Sequence, residues 1–330
     1  MKQTSVMNSP IKGYVCVAIS AVLWASSGTV GKALFAQGIT PVELVQVRVG
    51  LSAIIMAITL ALFARPLFRI RWSDLPYFLL LGGVILALVQ FTYFFAISKL
   101  QVVAAVLIQY LAPILVAAYS ICFWGERFTT AKAAALFLAV GGCYFVTGAY
   151  DLQLFRLNVE GVVAAFASAV LFSAYALAGE RGMHRYRPWT VVFYAMVFAA
   201  VSFHIFRSPV HYLTTAHSAP QWAAMLYIAV FGTIVPFGLY FVGINHIRST
   251  RALITGTLEP ISAGLIAFIF LGESLEPLQI VGGALVIIAI VLLQLQREQD
   301  QLAPELVRNR EAHPPPKDFI NGPVVDERKR

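Results

Sequence analysis

The feature that most constrains this chain is its succession of apolar segments, each about 20 residues long and separated from the next by a short break. A bilayer core about 30 Å thick is crossed by roughly 20 apolar residues of α-helix. By that measure ten spans fall near residues 13–35, 42–64, 75–98, 101–123, 131–149, 159–180, 189–206, 221–245, 251–271 and 278–296. Hydrophobic residues make up 59% of the chain and charged residues 12%, against roughly 25% charged in a soluble domain. No long polar stretch occurs before residue 297, so lipid is the expected solvent for nearly all of the sequence. The expected fold class is an all-α membrane protein.

The breaks at 38–41, 65–66, 125–127, 185–188, 218–220 and 272–277 carry glycine, proline or charge, and such short loops make neighbouring helices antiparallel. The net charge of +8 suggests nucleic acid at first sight. The segment 297–330, however, holds seven basic and seven acidic residues and cancels. All the excess lies among the apolar segments, where it reports topology. One side collects Lys2, Lys12, Arg65, Arg69, Arg71, Arg127, Lys132, Arg181, Arg185, Arg187, Arg248 and Arg251, with the tail; the other has Lys99, Arg156 and Arg207. Basic loops stay inside, so both termini are expected in the cytoplasm, which demands an even number of spans.

These features predict a multi-pass protein of a cell membrane, read as the bacterial inner membrane. Its expected partners are the lipid bilayer and a small-molecule substrate, with no nucleic acid; the sequence carries no signal for an oligomeric state. Cys16, Cys122 and Cys143 each lie in an apolar run and match neither a disulfide framework nor a zinc motif, so they read as small packing residues. The first apolar stretch is too long for a signal peptide and lacks a convincing small-residue cleavage site, so it reads as a retained helix. Residues 297–330, with charge throughout and Pro314, Pro315 and Pro316, read as a disordered cytoplasmic tail, and 1–12 as a cytoplasmic N-terminus.

An internal repeat organises the spans. A slide of 148 residues carries Gly13 onto Gly161 and residues 20–24 (Ser-Ala-Val-Leu-Trp) onto 168–172 (Ser-Ala-Val-Leu-Phe). A slide of 147 carries Tyr93 and Phe94 onto Tyr240 and Phe241, Ile97 onto Ile244, Ala105 onto Ala252, Pro113 and Ile114 onto Pro260 and Ile261, and Phe123 onto Phe270. The same slide matches Gly125 and Glu126 with Gly272 and Glu273. Shared leucines arise by chance between hydrophobic segments, but matched Pro, Gly-Glu and Tyr-Phe at one offset do not. The chain thus divides into five-helix units at 13–149 and 159–296. Five is odd, so the second unit enters from the opposite side: ten transmembrane helices as two inverted five-helix repeats, an architecture of secondary carriers with a midplane site.

The first span, with Leu23, Trp24, Ala25, Ser26, Ser27 and Gly28 followed by Lys32, resembles the opening helix of the EamA family in the drug/metabolite transporter superfamily. Arg48, Pro113 with Gly125 and Glu126, and Glu259-Pro260 with Leu271, Gly272 and Glu273 are similar to that family's recurring marks. The resemblance covers about residues 11–296; the proline-bearing tail lies outside it. It implies a ten-helix exporter of amino acids or related small polar metabolites, with a central cavity between the halves and alternating access. It does not name the cargo.

An ionised side chain at the centre of a membrane helix costs about 2.5 to 3.5 kcal/mol on insertion scales, so each one needs a reason. Lys32 and Glu43 flank the first hairpin turn and are expected to pair at the interface. Arg48 lies deeper, where it either anchors a substrate carboxylate or hydrogen-bonds carbonyls freed at broken helices. Glu259 precedes Pro260, whose missing N–H leaves the Gly256 carbonyl without its helical donor. The acid there binds an amine, carries a proton, or is held neutral by neighbouring groups; its repeat counterpart is Ala112. Glu126 and Glu273 read as capping residues of equivalent turns.

Ser20, Trp24, Ser27 and Gly31 form one helical stripe, and Gln90 and Tyr93 another. Small polar residues also serve helix packing, but together these stripes predict a cavity. The expected substrate-binding set is Trp24, Ser27, Arg48, Gln90, Tyr93, Gln109, Tyr110, Tyr175, Tyr240 and Glu259, with Asn245 as a further candidate. Aromatic faces, hydroxyls, a carboxylate and a cation suit a zwitterion such as an amino acid.

An intramembrane enzyme is disfavoured, since no H-E-x-x-H, G-x-S-x-G or Walker sequence occurs. No cofactor and no metal site are expected; His184, His204, His211, His217, His246 and His313 are scattered at loops and span ends. A channel or receptor is the alternative, with pores usually built from several subunits and receptors from larger extramembrane domains.

Overall fold

The computed structural model describes residues 9–100, 102–125, 129–147, 158–206, 217–266, 268–269, 276–295 and 303–312. Glu126, Arg127, Arg156, Arg207, His211, His313, the turn with Gly272 and Glu273, and the span ends at 101, 149, 271 and 296 lie outside the described residues. Within them every regular element is helical.

Helix α1 (Ser9–Ala36) leads through a turn to α2 (Pro41–Phe63). Thr40 caps α2 by accepting the Glu43 N–H at 3.3 Å, and Pro41 fits the first turn, where no N–H is needed. Two 3-10 turns, Arg65–Phe68 and Trp72–Asp74, precede α3, which runs as Leu75–Phe78, a π-helical stretch Leu79–Leu86, and Ala87–Lys99. Then come α4 (Val102–Gln109), α5 (Ala112–Trp124), α6 (Thr130–Val146), α7 (Val159–Met183) and α8 (Pro188–Phe206). Helix α9 comprises Ala219–Ala229, a second π-helical stretch Val230–Ile234, and Val235–Gly256. Helices α10 (Leu258–Ile266), α11 (Pro277–Leu295) and α12 (Pro304–Ala312) follow.

Seven helical stretches among the described residues are long and apolar enough to cross a membrane, and two more, Thr130–Val146 and Pro277–Leu293, are apolar but shorter. One of the seven, Ala219–Gly256, has 38 residues, about 57 Å of helix at 1.5 Å per residue. It turns at Arg248, whose backbone is left-handed with φ 65°. Side chains on the outside are apolar, including Ile54, Ile58 and Leu62 of α2, Val163 and Phe166 of α7, and Ile280 and Ile287 of α11. The protein is a multi-pass membrane protein.

The most extensive helix contacts are α1 with α9, α6 with α11, α3 with α7 and α8, and α2 with α8. Each joins a helix from 13–149 to one from 159–296, so the two stretches interlock. Glycines permit the closest approach. A Cβ on Gly282 would stand 2.6 Å from Val146 N and 2.7 Å from the Gly142 carbonyl oxygen, whereas Gly283 beside it has its nearest neighbour at 4.0 Å. Gly282→Ala is therefore expected to force α6 and α11 apart at a cost of about 1 to 3 kcal/mol. Gly283→Ala leaves stability unchanged. Thermal unfolding of the two variants in one detergent checks the contrast; equal midpoints would refute it.

Three expectations change. Lys32 and Glu43 do not pair. The ammonium of Lys32 donates to the carbonyls of Ile97 at 2.8 Å and Leu100 at 3.0 Å, at the end of α3, because terminal helix carbonyls lack intrahelical donors. Glu43 meets His217 at 3.1 Å instead. Cys122 is exposed rather than packed, while Cys16 and Cys143 are buried. The tail is not wholly without structure: α12 docks on α7 and α9, with Arg308 donating to the carbonyls of Met183 and Tyr186 and to Asn245 Oδ1, and Glu305 paired with His246. Charge content hid this segment's complementarity to the open carbonyls at the end of α7.

Candidate functional site

Helices α1, α2, α3, α4, α5, α7, α9 and α10 converge on a cavity of about 50 Å³. Nine of the ten residues expected at the site line it: Trp24, Ser27, Arg48, Gln90, Tyr93, Gln109, Tyr110, Tyr240 and Glu259. Tyr175 does not. It is fully buried, stacked on Phe241 with ring centroids 4.9 Å apart and edge-on to Phe237. Asn245 also lies elsewhere, against Arg308. Of the remaining stripe, Ser20 Oγ lies 2.9 Å from the carbonyl oxygens of both Cys16 and Pro236, its one proton shared between them, tying α1 to α9, and Gly31 makes room for the Phe94 ring.

One acidic and one basic side chain, Glu259 and Arg48, face the cavity. Tyr93 Oη donates to Glu259 Oε1 at 3.4 Å, and Tyr110 Oη lies 3.0 Å from Glu259 Oε2 and 2.7 Å from the Gly256 carbonyl oxygen. That carbonyl is the one Pro260 deprives of its helical partner. The Tyr110 hydroxyl has one proton for two acceptors, so one of the two always wants a further donor. Arg48, 3% exposed, donates from Nε to Thr233 Oγ1 at 2.9 Å and from Nη2 to the Gly232 carbonyl at 2.8 Å. Both belong to the π-helical stretch of α9, where backbone carbonyls are displaced from regular pairing. Its guanidinium also lies over the Phe94 ring, 4.7 Å from the centroid. The carbonyl-binding expectation for Arg48 thus describes one of its donors, Nη2, while Nε is taken by a hydroxyl, and the side chain still lines the cavity.

The rest of the wall is aromatic. Trp24 stands edge-on to Phe172 at 5.9 Å and to Phe237 at 5.2 Å, with Tyr240 also at 5.2 Å, and Phe172 stacks on Tyr240 at 5.6 Å. Three buried polar atoms on this lining, Trp24 Nε1, Gln90 Nε2 and Tyr240 Oη, have no protein hydrogen-bond partner among the described residues. Each such group costs about 1 to 3 kcal/mol when left dry. Gln109 Nε2 is satisfied by Ser168 Oγ at 2.9 Å.

The sequence reading places neither Phe172 nor Phe237 at the site. A signal for both existed, since they are the offset mates of Trp24 and Gln90. Both members of five offset pairs line the cavity: Trp24 and Phe172, Gln90 and Phe237, Tyr93 and Tyr240, Gln109 and Gly256, Ala112 and Glu259. Glu180 was also missed. Buried at 1%, it accepts Arg248 Nε at 2.9 Å and the Ser249 N–H at 2.7 Å, holding the turn inside α9. It lies 148 positions after Lys32, which holds the end of α3.

Comparison with known proteins places this geometry in a family. A family model described as the EamA-like transporter family matches twice, at residues 11–148 and 159–295. Among curated relatives, the uncharacterized inner membrane transporter YicL of Salmonella typhimurium is 26% identical over 88% of this chain and 97% of its own. A probable terminal-alkyne amino-acid exporter of Streptantibioticus cattleyicolor is 27% identical over 92% and 98%. The threonine/homoserine exporter RhtA of Escherichia coli is 25% identical over 72% and 79%. A solved crystal structure at 19% identity superposes with a TM-score of 0.69 over 87% of this chain and 96% of that one, a likeness of fold. This chain belongs to the EamA-like transporter family of the drug/metabolite transporter superfamily.

Proposed function

We propose that this protein is a secondary carrier that exports amino acids, or closely related zwitterionic metabolites, by alternating access through the cavity around Glu259. The observation that carries the reading is the pairing of Glu259 and Arg48 on one small aromatic-walled cavity, with Tyr93 in hydrogen-bond contact with the acid. An ammonium supplies the donor that Glu259 and the Gly256 carbonyl share too few of, and a carboxylate meets Arg48. The partnerless Trp24, Gln90 and Tyr240 atoms take up polar groups of the cargo. Exporters of amino acids among the relatives agree with this class.

Ten spans in two inverted repeats form the frame of this mechanism. Dividing Ala219–Gly256 at Arg248 and adding the two shorter apolar helices brings the seven stretches to ten. The π-helical stretches of α3 and α9 lie at offset-matched places, and the double family match, the interlocked contacts and the five paired cavity positions agree with the same frame. At about 50 Å³ the cavity admits roughly four waters. It does not admit an amino acid, so loading requires the walls to part, as alternating access demands. In this frame both termini lie in the cytoplasm, and the membrane is the bacterial inner membrane.

Counterflow in proteoliposomes across a panel of amino acids, the matching amines and the matching hydroxy acids, with and without a pH gradient, tests the proposal. Zwitterions are expected to exchange best, the amines and hydroxy acids each losing one of the two charge contacts. A protein that moves none of the amino acids, or moves hydroxy acids equally well, does not have this function. Trp24→Ala is expected to raise the half-saturating concentration roughly tenfold by opening the aromatic wall; unchanged saturation would remove Trp24 from the site.

A further inference from the structure

A second and larger hollow, about 900 Å³, lies between α3, α5 and α7 and is used by none of the above. Its walls are apolar, with Leu80 and Ile85 from α3, Leu115 and Tyr119 from α5, and Val170 and Leu177 from α7. Leu80, Tyr119 and Val170 are exposed, so it opens sideways, toward where lipid lies. Its rim is polar and basic, with Asp74, Arg181, Arg185 and Tyr186. Asp74 is already engaged: Arg185 Nη1 reaches it at 3.3 Å, and Tyr186 Oη donates to it at 2.6 Å. Burial, and then that bond, hold the Tyr186 hydroxyl above its ordinary pKa, so it stays a donor. Arg181 has no carboxylate partner among the described residues and is exposed at the mouth.

The depth of the hollow identifies its occupant. From rim to floor it runs along α3 from Asp74 to Ile85, along α7 from Arg181 to Val170, and along α5 from Trp124 to Leu115. Nine to eleven residues of helix are about 14 to 16 Å long, which is half of a bilayer core about 30 Å thick. A cleft one leaflet deep, apolar inside, open to the side and carrying at its mouth a cation with no carboxylate partner among the described residues matches a phospholipid with a negatively charged headgroup. We propose that this cleft is a binding site for one anionic glycerophospholipid, its phosphate at Arg181 and an acyl chain along Leu177, Val170 and Leu80.

The site adjoins the central cavity. Ser173 lines the cleft, and its hydroxyl, which donates to the Ala169 carbonyl at 2.7 Å, also lies 3.3 Å from the carbonyl of Ala112, a residue of the cavity wall. A bound acyl chain therefore rests against the partition between the two spaces.

Trp124 lines the cleft and serves as the reporter. The full chain is placed in nanodiscs of phosphatidylcholine doped with acyl-brominated phosphatidylglycerol or acyl-brominated phosphatidylcholine. The Trp124 signal is taken as the difference between the wild-type protein and Trp124→Phe. Brominated phosphatidylglycerol is expected to quench it at about fivefold lower mole fraction than brominated phosphatidylcholine. In Arg181→Gln, an exposed change that leaves the fold intact, the two lipids become equal. Equal quenching by both lipids in the wild-type protein, a preference that survives Arg181→Gln, or no Trp124 quenching at all would each overturn the assignment. So would relief of the quenching by a transported amino acid, which would make the cleft a cargo vestibule.

Discussion

Glu259→Gln is expected to raise the half-saturating concentration of amine-bearing cargo about ten- to a hundredfold while the protein folds normally. The two parts of this result have separate causes. Glutamine keeps the shape of the side chain and one oxygen to accept from Tyr93, and its amide donates to Tyr110, whose hydroxyl then gives its proton to the Gly256 carbonyl. Every buried group stays partnered, so the stability cost is small. What disappears is the negative charge, and with it a charge-assisted hydrogen bond to an ammonium of about 1.5 to 3 kcal/mol. Counterflow with a primary amine and with its N-acetylated form measures the loss, which falls on the amine alone. Saturation by the amine at the wild-type concentration would show that Glu259 does not contact cargo.

Glu180→Ala is expected to be the most destabilising single change in the chain. It removes at once the acceptor for Arg248 Nε and for the Ser249 N–H, and both partners are buried. Truncating one side of a buried ion pair costs about 3 to 5 kcal/mol, because the surviving charge stays desolvated. The cost is concentrated where the backbone is already strained, at the left-handed Arg248. Glu180→Gln keeps an oxygen for Ser249 and falls between the wild type and Glu180→Ala. Lys32→Met, which frees two carbonyls at a half-buried helix end, costs less than Glu180→Ala. Thermal unfolding in detergent ranks the three variants; an alanine variant as stable as wild type would mean that the pair carries none of the turn's stability.

The cavity was legible in the sequence to the extent that its residues sit in repeating stripes. Trp24 with Ser27, and Gln90 with Tyr93, are one helical turn apart, and a turn brings side chains to one face whatever surrounds them. Tyr175 shows the boundary of that logic. Its offset mate Ser27 lines the cavity, yet Tyr175 stacks on Phe241, since a phenol and a serine hydroxyl at equivalent backbone positions fill different volumes. Glu180 escaped notice because it ends a span beside Arg181 and reads there as an interfacial charge. Its burial depends on Arg248, 68 residues away.

The sequence by itself determined that the chain lives in lipid, because backbone and side-chain polarity along a segment decide its solvent without reference to any other segment. It likewise determined the family, whose marks are written as order and spacing along one line and whose model matches at 11–148 and again at 159–295. Only the tertiary structure decided which charges meet: Lys32 with the end of α3, Glu43 with His217, Arg48 with the π-helical stretch of α9, and Glu180 with Arg248. Those pairings require helices distant in sequence to cross at particular heights. Hydropathy counts apolar residues and is blind to rotation and depth, whereas an ion pair changes by several kcal/mol over a few ångströms in a medium of low dielectric constant.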